Sequence, residues 1–405
     1  MTGAITVIGF DGGPLRAEAR AALAGAVRVA GVARHLGALP VPAGAERVDL
    51  AKVGAALDAV TRDDRPSVVV ASGDPGFFGI VRALRARGVA PYIIPAVSSV
   101  ARAFAAVGMT WDDALVISAH GRDPRRALAA ALAAPKCAIL TAPGTAEPGS
   151  FTGPLRAAGR RVHVAERLGT PDERVTEITS GGPPRTHAHP NVVIADDPAR
   201  PAAGPGWLAG HQGAPDGWAL PEPAFDHRDG QITKSEVRAV ALARLAPRPG
   251  VTVWDVGAGS GSVAVECARF GARAIAIDRD PAQCARVRAN AARHAVHVQV
   301  EHRTAPDGLA DLPDPDAVFA GGGDAPVLAA VLARTPARVV VALASVDRVR
   351  PVRDALRAAG YEPDGCQLQS ARLADLPNGS IRLTPTNPVT LIWGTRPDTR
   401  IGDPT

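Results

Sequence analysis

A glycine-rich loop set between an apolar strand and a helix constrains this chain more than any other feature. Residues 251–256 read as a buried strand, and Asp255-Val256-Gly257-Ala258-Gly259-Ser260-Gly261 leads from it into a helix over 262–270. Glycine tolerates positive φ and lets a ligand approach the backbone closely. The helix that follows offers unpaired N–H groups at its start. Asp278 ends the next apolar run, at the roughly 20-residue distance where a carboxylate can take both hydroxyls of a ribose. An α/β domain that binds a nucleoside-like ligand is expected.

Two ligands compete for that loop. A dinucleotide wants G-x-G-x-x-G/A with the helix end facing a pyrophosphate. Here the third glycine comes one residue early and Ser262 holds the slot. Asp255 adds a second carboxylate, which opposes a pyrophosphate but complements a cation. S-adenosylmethionine has a ribose, an amino group and a sulfonium, and no phosphate, so it matches better. A purely structural turn would leave Asp278 unexplained.

The same alternation of short apolar strands and Ala/Leu-rich helical stretches runs through the chain, the α/β signature. Strands are expected at 5–9, 68–71, 92–95, 114–118, 137–141 and 162–165, with a helix over 97–107 closed by Gly108. Periodicity fails from about 198 to 221, where Pro and Gly accumulate, and a linker is expected there. After it, Thr233-x-x-Glu236 matches a capping box opening a helix to about Leu245. Later strands are expected at 274–277, 318–320, 339–343 and 389–393. A chain of 405 residues suits two or three domains.

Composition narrows the function. The four cysteines, Cys137, Cys267, Cys284 and Cys366, form no CxxC, so neither a zinc site nor a disulfide framework is supported. No apolar run nears the ~18 residues of a membrane span. The start runs straight into a strand without a basic region, and the cytoplasm is the expected compartment. The net charge of +5 comes almost wholly from scattered arginines. Aromatics are 4% and no RNA-binding module appears, which argues against an RNA methyltransferase.

In the first half, Ser72-Gly73-Asp74-Pro75-Gly76-Phe77-Phe78-Gly79 follows a strand, at the carboxyl end where α/β ligands bind. Ser98-Ser99 stand at a helix start, where N-capping is the plain role. His120-Gly121-Arg122 follow another strand and suit an anionic group.

Those residues carry a resemblance. With Gly31-Val-Ala-Arg34-His35-Leu36, Ile94-Pro95-Ala-Val-Ser98-Ser99-Val100, Ser118-Ala-His120-Gly121-Arg122 and Glu166-Arg167-Leu168-Gly169-Thr-Pro171-Asp-Glu173-Arg174, the first half resembles the tetrapyrrole methylase family, in its branch acting on precorrin-6. Its first loop, Gly9-Phe-Asp-Gly12-Gly13-Pro14, departs from the family's general Gly-x-Gly-Pro-Gly. The second half is similar to the methyltransferase family of the same step, through Phe225-Asp226-His227-Arg-Asp-Gly230-Gln231-Ile-Thr233-Lys234-Ser-Glu236-Val-Arg238, the Trp254–Ser262 loop, Ala305-Pro306 and Phe319-Ala-Gly321-Gly322-Gly323. That family's Asn-Ala-Val-Thr-Leu-Glu run reads Ala342-Leu-Ala-Ser345-Val-Asp347 here, without the Asn.

The resemblance implies a tetrapyrrole methylase fold of two α/β subdomains over 1–198, a linker over 199–222, and a Rossmann-like class I methyltransferase domain over 223–405. It implies two S-adenosylmethionine sites, one on Gly73, Asp74, Phe77, Ser98 and Ser99, the other on Thr233, Gly257, Ala258, Gly259, Ser260, Gly261, Asp278 and Ala305. Methylation at carbons 5 and 15 of precorrin-6B with loss of the ring C acetate carboxyl would follow, giving precorrin-8X. The cobalt-containing analogue is the alternative substrate, and a donor-binding protein with a degenerate second site the alternative role. Arginine forks suit the carboxylates of such a substrate, and Arg34, His120, Arg122, Arg167 and Arg238 are the candidates. No residue stands out as the catalytic base, and no metal is needed. The expected partners are the tetrapyrrole and further copies of the chain, with neither nucleic acid nor membrane.

Overall fold

Apolar side chains alternate along the first strand and feed two separate cores. Ile5 and Val7 of β1 (Ile5–Phe10) join Leu57, Val69 and Leu84 on one face of the sheet, while Ile8 joins Leu23, Val29 and Val68 on the other. This is the period of two that a strand covered on both faces requires. The computed structural model describes residues 5–179, 186–200, 209, 215, 217–228, 230–322 and 324–397. Contacts divide the chain into two units, one of Met1–Arg122, Lys136–Pro198 and Gly204–Gly210, the other of Asp123–Pro135, Ala199–Ala203 and His211–Thr405.

The first unit holds two sheets. With β2 (Arg28–Gly31), β3 (Glu46–Asp49), β4 (Ser67–Ser72) and β5 (Tyr92–Ile94), β1 forms a parallel sheet of order β3-β2-β4-β1-β5. The second sheet is mixed, of order β6-β7-β10-β8-β9, from β6 (Leu115–Ser118), β7 (Lys136–Leu140), β8 (Arg161–Glu166), β9 (Arg174–Glu177) and β10 (Asn191–Asp196). Helix Ser99–Val107 lays Val100, Ala103 and Phe104, all fully buried, against Ala138, Ala165 and Ile194. Burial of a side chain such as Phe104 contributes about 1.5–3 kcal/mol. Gly108 ends that helix in the left-handed region at φ 70°, as expected.

The second unit is built on a seven-stranded sheet. Its strands are β11 (Thr252–Val256), β12 (Arg273–Asp278), β13 (Val298–His302), β14 (Ala317–Gly321), β15 (Arg338–Leu343), β16 (Glu362–Leu368) and β19 (Val389–Thr395), in the order β13-β12-β11-β14-β15-β19-β16. The first five run parallel; β19 is antiparallel to both β15 and β16. The chain builds outward from β11 in one direction and resumes at β14 on its other side. Such a reversal opens a crevice beyond the carboxyl ends of the two strands. A separate hairpin of β17 (Ala371–Asp375) and β18 (Ile381–Pro385) leaves Leu373, Ile381 and Leu383 exposed.

Helix Pro124–Ala133 groups with the second unit, outside the division at 198 expected from sequence. Its buried face is almost all alanine, and its Arg126 carbonyl sits 3.5 Å from where a Cβ on Gly250 would stand. Most of the segment expected as a linker, and Gly323, lie outside the described residues. Three cysteines are buried, Cys366 is half-buried, and all four are free thiols. Among the described residues no helix is long and apolar enough to cross a membrane, and no cluster of three or more His, Cys, Asp or Glu could hold a metal.

Candidate active sites

In the first unit, β1 and β4 end side by side, with Phe10 opposite Ser72. The chain then turns at Gly73, whose φ is 63° and whose N–H donates to the Phe10 carbonyl at 2.8 Å. A Cβ on Gly9 would stand 2.4 Å from the Gly73 oxygen and 2.6 Å from Ala96 N, and one on Gly73 would stand 3.1 Å from Ser99 N. Three backbone segments therefore meet with no room for side chains between them. Ser98 Oγ caps the following helix, accepting from Val100 N at 3.1 Å and Ala101 N at 3.5 Å. Asp74 Oδ1 accepts from Gly76 N at 2.8 Å and stiffens the loop. Phe77 is half-buried against the core of Val100 and Phe104. Gly73 thus lies against Ser98 and Ser99, and Asp74 and Phe77 stand on the loop that follows it.

The candidate substrate residues divide. Arg34 Nη2 donates to Ser72 Oγ at 2.7 Å, one residue before the Gly73 turn. Partial loss of solvent lowers the His120 imidazole below its ordinary pKa, and the charges of Arg34 and His189 lower it further. Arg122 is exposed. Arg167 is exposed. It pairs with Asp172 at 3.0 Å, while Glu173 accepts from Gly169 N at 2.6 Å and buried Glu166 faces Arg174 at 3.5 Å. The 166–174 motif is a turn fastened by its own charges, and its arginine is already engaged.

In the second unit the loop spends its amides internally. Gly257 N and Ala258 N donate to the Ile277 carbonyl at 2.9 and 3.1 Å, and Gly261 N to the Ala258 carbonyl at 2.8 Å. Gly259 N donates to Asp278 Oδ2 at 2.8 Å, and Asp280 N to Asp278 Oδ1 at 2.9 Å. A carboxylate has about four acceptor positions, so Asp278 retains two for a diol. Gly257, Gly259 and Gly261 all have positive φ, 73°, 55° and 70°. A Cβ on Gly261 would stand 2.7 Å from Val287 Cγ1, and one on Gly257 3.2 Å from the Gly321 oxygen. Glycine here keeps the crevice between β11 and β14 open and seats helix Pro281–Arg293. Ser260 is buried and Ala305 half-buried against the core that includes Ile277.

Asp255 corrects the reading of a carboxylate that faces a cationic ligand. It is 2% exposed and its Oδ2 accepts from Ala264 N at 3.0 Å, capping the helix from beneath. Burial pushes its pKa up to about 7; the Ala264 bond opposes this and Asp278 adds to it. The raised native pKa means stability is fully present below the unfolded carboxyl value and declines as pH rises toward 7. We expect hydrogen exchange of a peptide spanning 252–277 to show protection falling by about 1.4 kcal/mol per pH unit across that window. Asp255→Asn should flatten the slope; an equally steep slope in that variant would refute the assignment.

Helix Ser235–Leu245 corrects the capping box. Its N-cap is Lys234, without a side-chain bond, and Ser235 N is satisfied at 2.9 Å by Glu222 Oε1. Glu236 is held instead by Arg372 at 2.7 Å, which also takes Glu222 at 2.7 and 2.8 Å. That guanidinium lowers Glu222 to about 2. Thr233 offers its carbonyl to Arg238 Nη1 at 2.7 Å. Arg238, a candidate for substrate, is fully buried beside Glu266 at 3.5 Å and over the Phe225 ring at 4.7 Å, out of reach of any substrate.

One residue had not been singled out. Asn290, 1% exposed, donates to the Asp226 and Ser260 carbonyls at 2.9 and 2.8 Å and accepts from Asp226 N at 2.7 Å. It ties the Phe225-Asp226-His227 segment to the glycine loop. Its trace in the sequence is an amide which, like Gln283, interrupts the apolar face of Cys284, Val287 and Ala291. Ala342 lies opposite Gly321 in β15, and its carbonyl accepts from Gly322 N at 2.9 Å. The backbone there is ordered by the strand, whatever side chain it carries.

Two family models match, one described as tetrapyrrole (corrin/porphyrin) methylases over residues 17–182 and one as a precorrin methyltransferase domain over 223–391. A precorrin-6Y C(5,15)-methyltransferase [decarboxylating] of Sinorhizobium sp is 38% identical over 282 residues, 66% of this chain and 64% of that protein. The protein of the same name from Mycobacterium tuberculosis is 34% identical over 331 residues, 78% of this chain and 79% of its own length. The solved C-terminal domain of precorrin-6Y C5,15-methyltransferase from Rhodobacter capsulatus is 35% identical, covering 44% of this chain and 97% of its own, with a TM-score of 0.40.

Proposed function

The chain belongs to the precorrin-6Y C5,15-methyltransferase (decarboxylating) family, whose members use S-adenosylmethionine, and from that premise we propose that each unit binds its own donor and methylates one tetrapyrrole. Residues 1–198 would serve carbon 5 of precorrin-6B, and 223–405 carbon 15 with loss of the ring C acetate carboxyl, giving precorrin-8X. The observation that carries the second site is the occupied helix start. Asp255 takes the Ala264 amide that a pyrophosphate would need, while Asp278 keeps acceptors for a ribose.

S-adenosylmethionine supplies a methyl group already activated on a sulfonium. The protein's own part is positioning, which can account for much of such a rate. Asp278 would hold the ribose of the second donor, and the Gly257–Gly321 approach would leave its groove clear. Gly73, Ser98 and Ser99 would line the first. Arg34, His120 and Arg122 would meet substrate carboxylates. In decarboxylation the bond to the carboxyl breaks, CO₂ leaves, and the macrocycle takes the electron pair until a proton arrives. The exposed Leu373, Ile381 and Leu383 support self-association of the chain.

The test is to incubate the protein with S-adenosylmethionine and precorrin-6B and follow product mass and CO₂. Two added methyls with loss of CO₂ are expected. Asp74→Ala should remove the methyl that arrives without CO₂ release. Donor binding with no transfer to this substrate, while the cobalt-containing analogue or RNA is methylated, would overturn the assignment.

A further inference from the structure

Arg34 is a cation without an anion. Many arginines of this chain pair with carboxylates, yet Arg34 has none within ion-pair distance among the described residues, and burial alone shifts its pKa, downward. Guanidinium keeps its charge across the physiological range. Its one partner is Ser72 Oγ at 2.7 Å, and that oxygen lies 3.2 Å from His35 Nε2. The direction of these bonds follows from the groups themselves. An arginine only donates, so Ser72 accepts from it and has its own O–H left to give. Burial holds the His35 imidazole neutral, and its tautomer with a bare Nε2 takes that proton. In that tautomer the ring proton sits on the buried Nδ1. Its surroundings agree: His35 is 5% exposed, Phe10 meets it edge-on at 5.5 Å, and burial and Arg34 push its pKa down to about 4.

We infer that His35 and Ser72 are positioning residues that lock the Arg34 guanidinium beside the Gly73 loop as a preset clamp for one carboxylate of the tetrapyrrole, with His120 facing the same anion. The inference rests on the proposed function and adds the device that orients the substrate in the first unit. A fork fixed before binding loses less side-chain freedom on meeting a carboxylate than a free one. Ser72 couples that fork to the donor loop, because Ser72 closes β4 and Gly73 begins the turn. The carboxylate, and through it the macrocycle, is held in register with the donor.

The experiment compares Arg34→Ala, Ser72→Ala and Ser72→Thr in the full chain, each with a native thermal melt as folding control. Methyl transfer without CO₂ release is followed against tetrapyrrole concentration. Arg34→Ala should raise KM about tenfold or more, the loss of one charge-assisted pair. Ser72→Ala should raise it several-fold with little change in kcat, and Ser72→Thr, which keeps the hydroxyl, should restore it. A KM for Arg34→Ala within twofold of the native value, or a Thr variant no better than Ala, would overturn the clamp. If the native chain methylates no tetrapyrrole, the functional reading fails by itself. Uroporphyrin and its fully amidated form, followed by fluorescence quenching, then decide the inference. Weaker binding of the acid alone by Arg34→Ala upholds the clamp, and equal binding by both proteins refutes it.

Discussion

On the proposed division of labour, Asp278→Ala is expected to abolish CO₂ release at ordinary donor concentrations while methyl transfer in the first unit continues. The side chain has two tasks. It closes the glycine loop through Gly259 N and orders the start of the next turn through Asp280 N. Its remaining acceptors would hold the ribose. Hydrogen bonds to a charged group are each worth about 1.5–3 kcal/mol, so losing a pair from the ribose weakens the donor by roughly 3 kcal/mol or more, about 100-fold. Calorimetric titration should therefore show two donor-binding events in the native chain and one in the variant. Asp278→Asn sharpens the test: its amide nitrogen cannot accept, so at most one oxygen serves loop and ribose together, and an intermediate loss is expected. Two unaltered binding events in Asp278→Ala would exclude this residue from the site.

The second large effect concerns stability. Arg238→Ala should destabilise the second unit by about 3–5 kcal/mol, the cost of leaving one partner of a buried ion pair alone. Arg238 and Glu266 are both fully buried. Arg238 also donates to the Thr233 and Leu220 carbonyls, and Glu266 accepts from Leu220 N at 2.7 Å. Removing the guanidinium strands these acceptors, and Arg269, at 2.9 Å from Glu266, balances only part of the charge. Arg238→Met combined with Glu266→Gln should recover much of the loss. Urea unfolding, read by hydrogen exchange within residues 235–277, provides the measurement. A change below 1 kcal/mol in the single variant would return Arg238 to the candidates for substrate.

What could be read from the sequence was what local chemistry decides. β1, β4 and β11 are largely apolar runs, and the loops after them carry glycines with positive φ, so strand and turn were legible together. The same holds for Ser98, whose hydroxyl caps the helix it precedes. Strands of four residues with charged ends, β3 and β9, gave too little pattern, β18 is exposed on both faces and β17 on one. β10 was apolar enough, but nothing local reveals that it sits at the centre of its sheet. The remaining misreadings concern charges with distant partners. The Thr233-x-x-Glu236 pattern suggested a local cap, yet Arg372, 136 residues on, takes the glutamate. Arg238 matched a motif, but only its three-dimensional surroundings show that it is internal. Asn290 acts through backbone carbonyls, which no sequence pattern names.

The carboxylate of Asp278 bears on how turnover would end. S-adenosylmethionine arrives with a net positive charge, from ammonium and sulfonium against one carboxylate, and loses one unit when its methyl departs. Buried Asp255 caps the helix beneath the loop, and the Asp278 carboxylate closes it. On the proposed site, that carboxylate would attract the charged donor and would have no net charge to grip in the spent thioether. On the proposed site, the half-buried carboxylate that closes the loop would thus favour product release in the second unit.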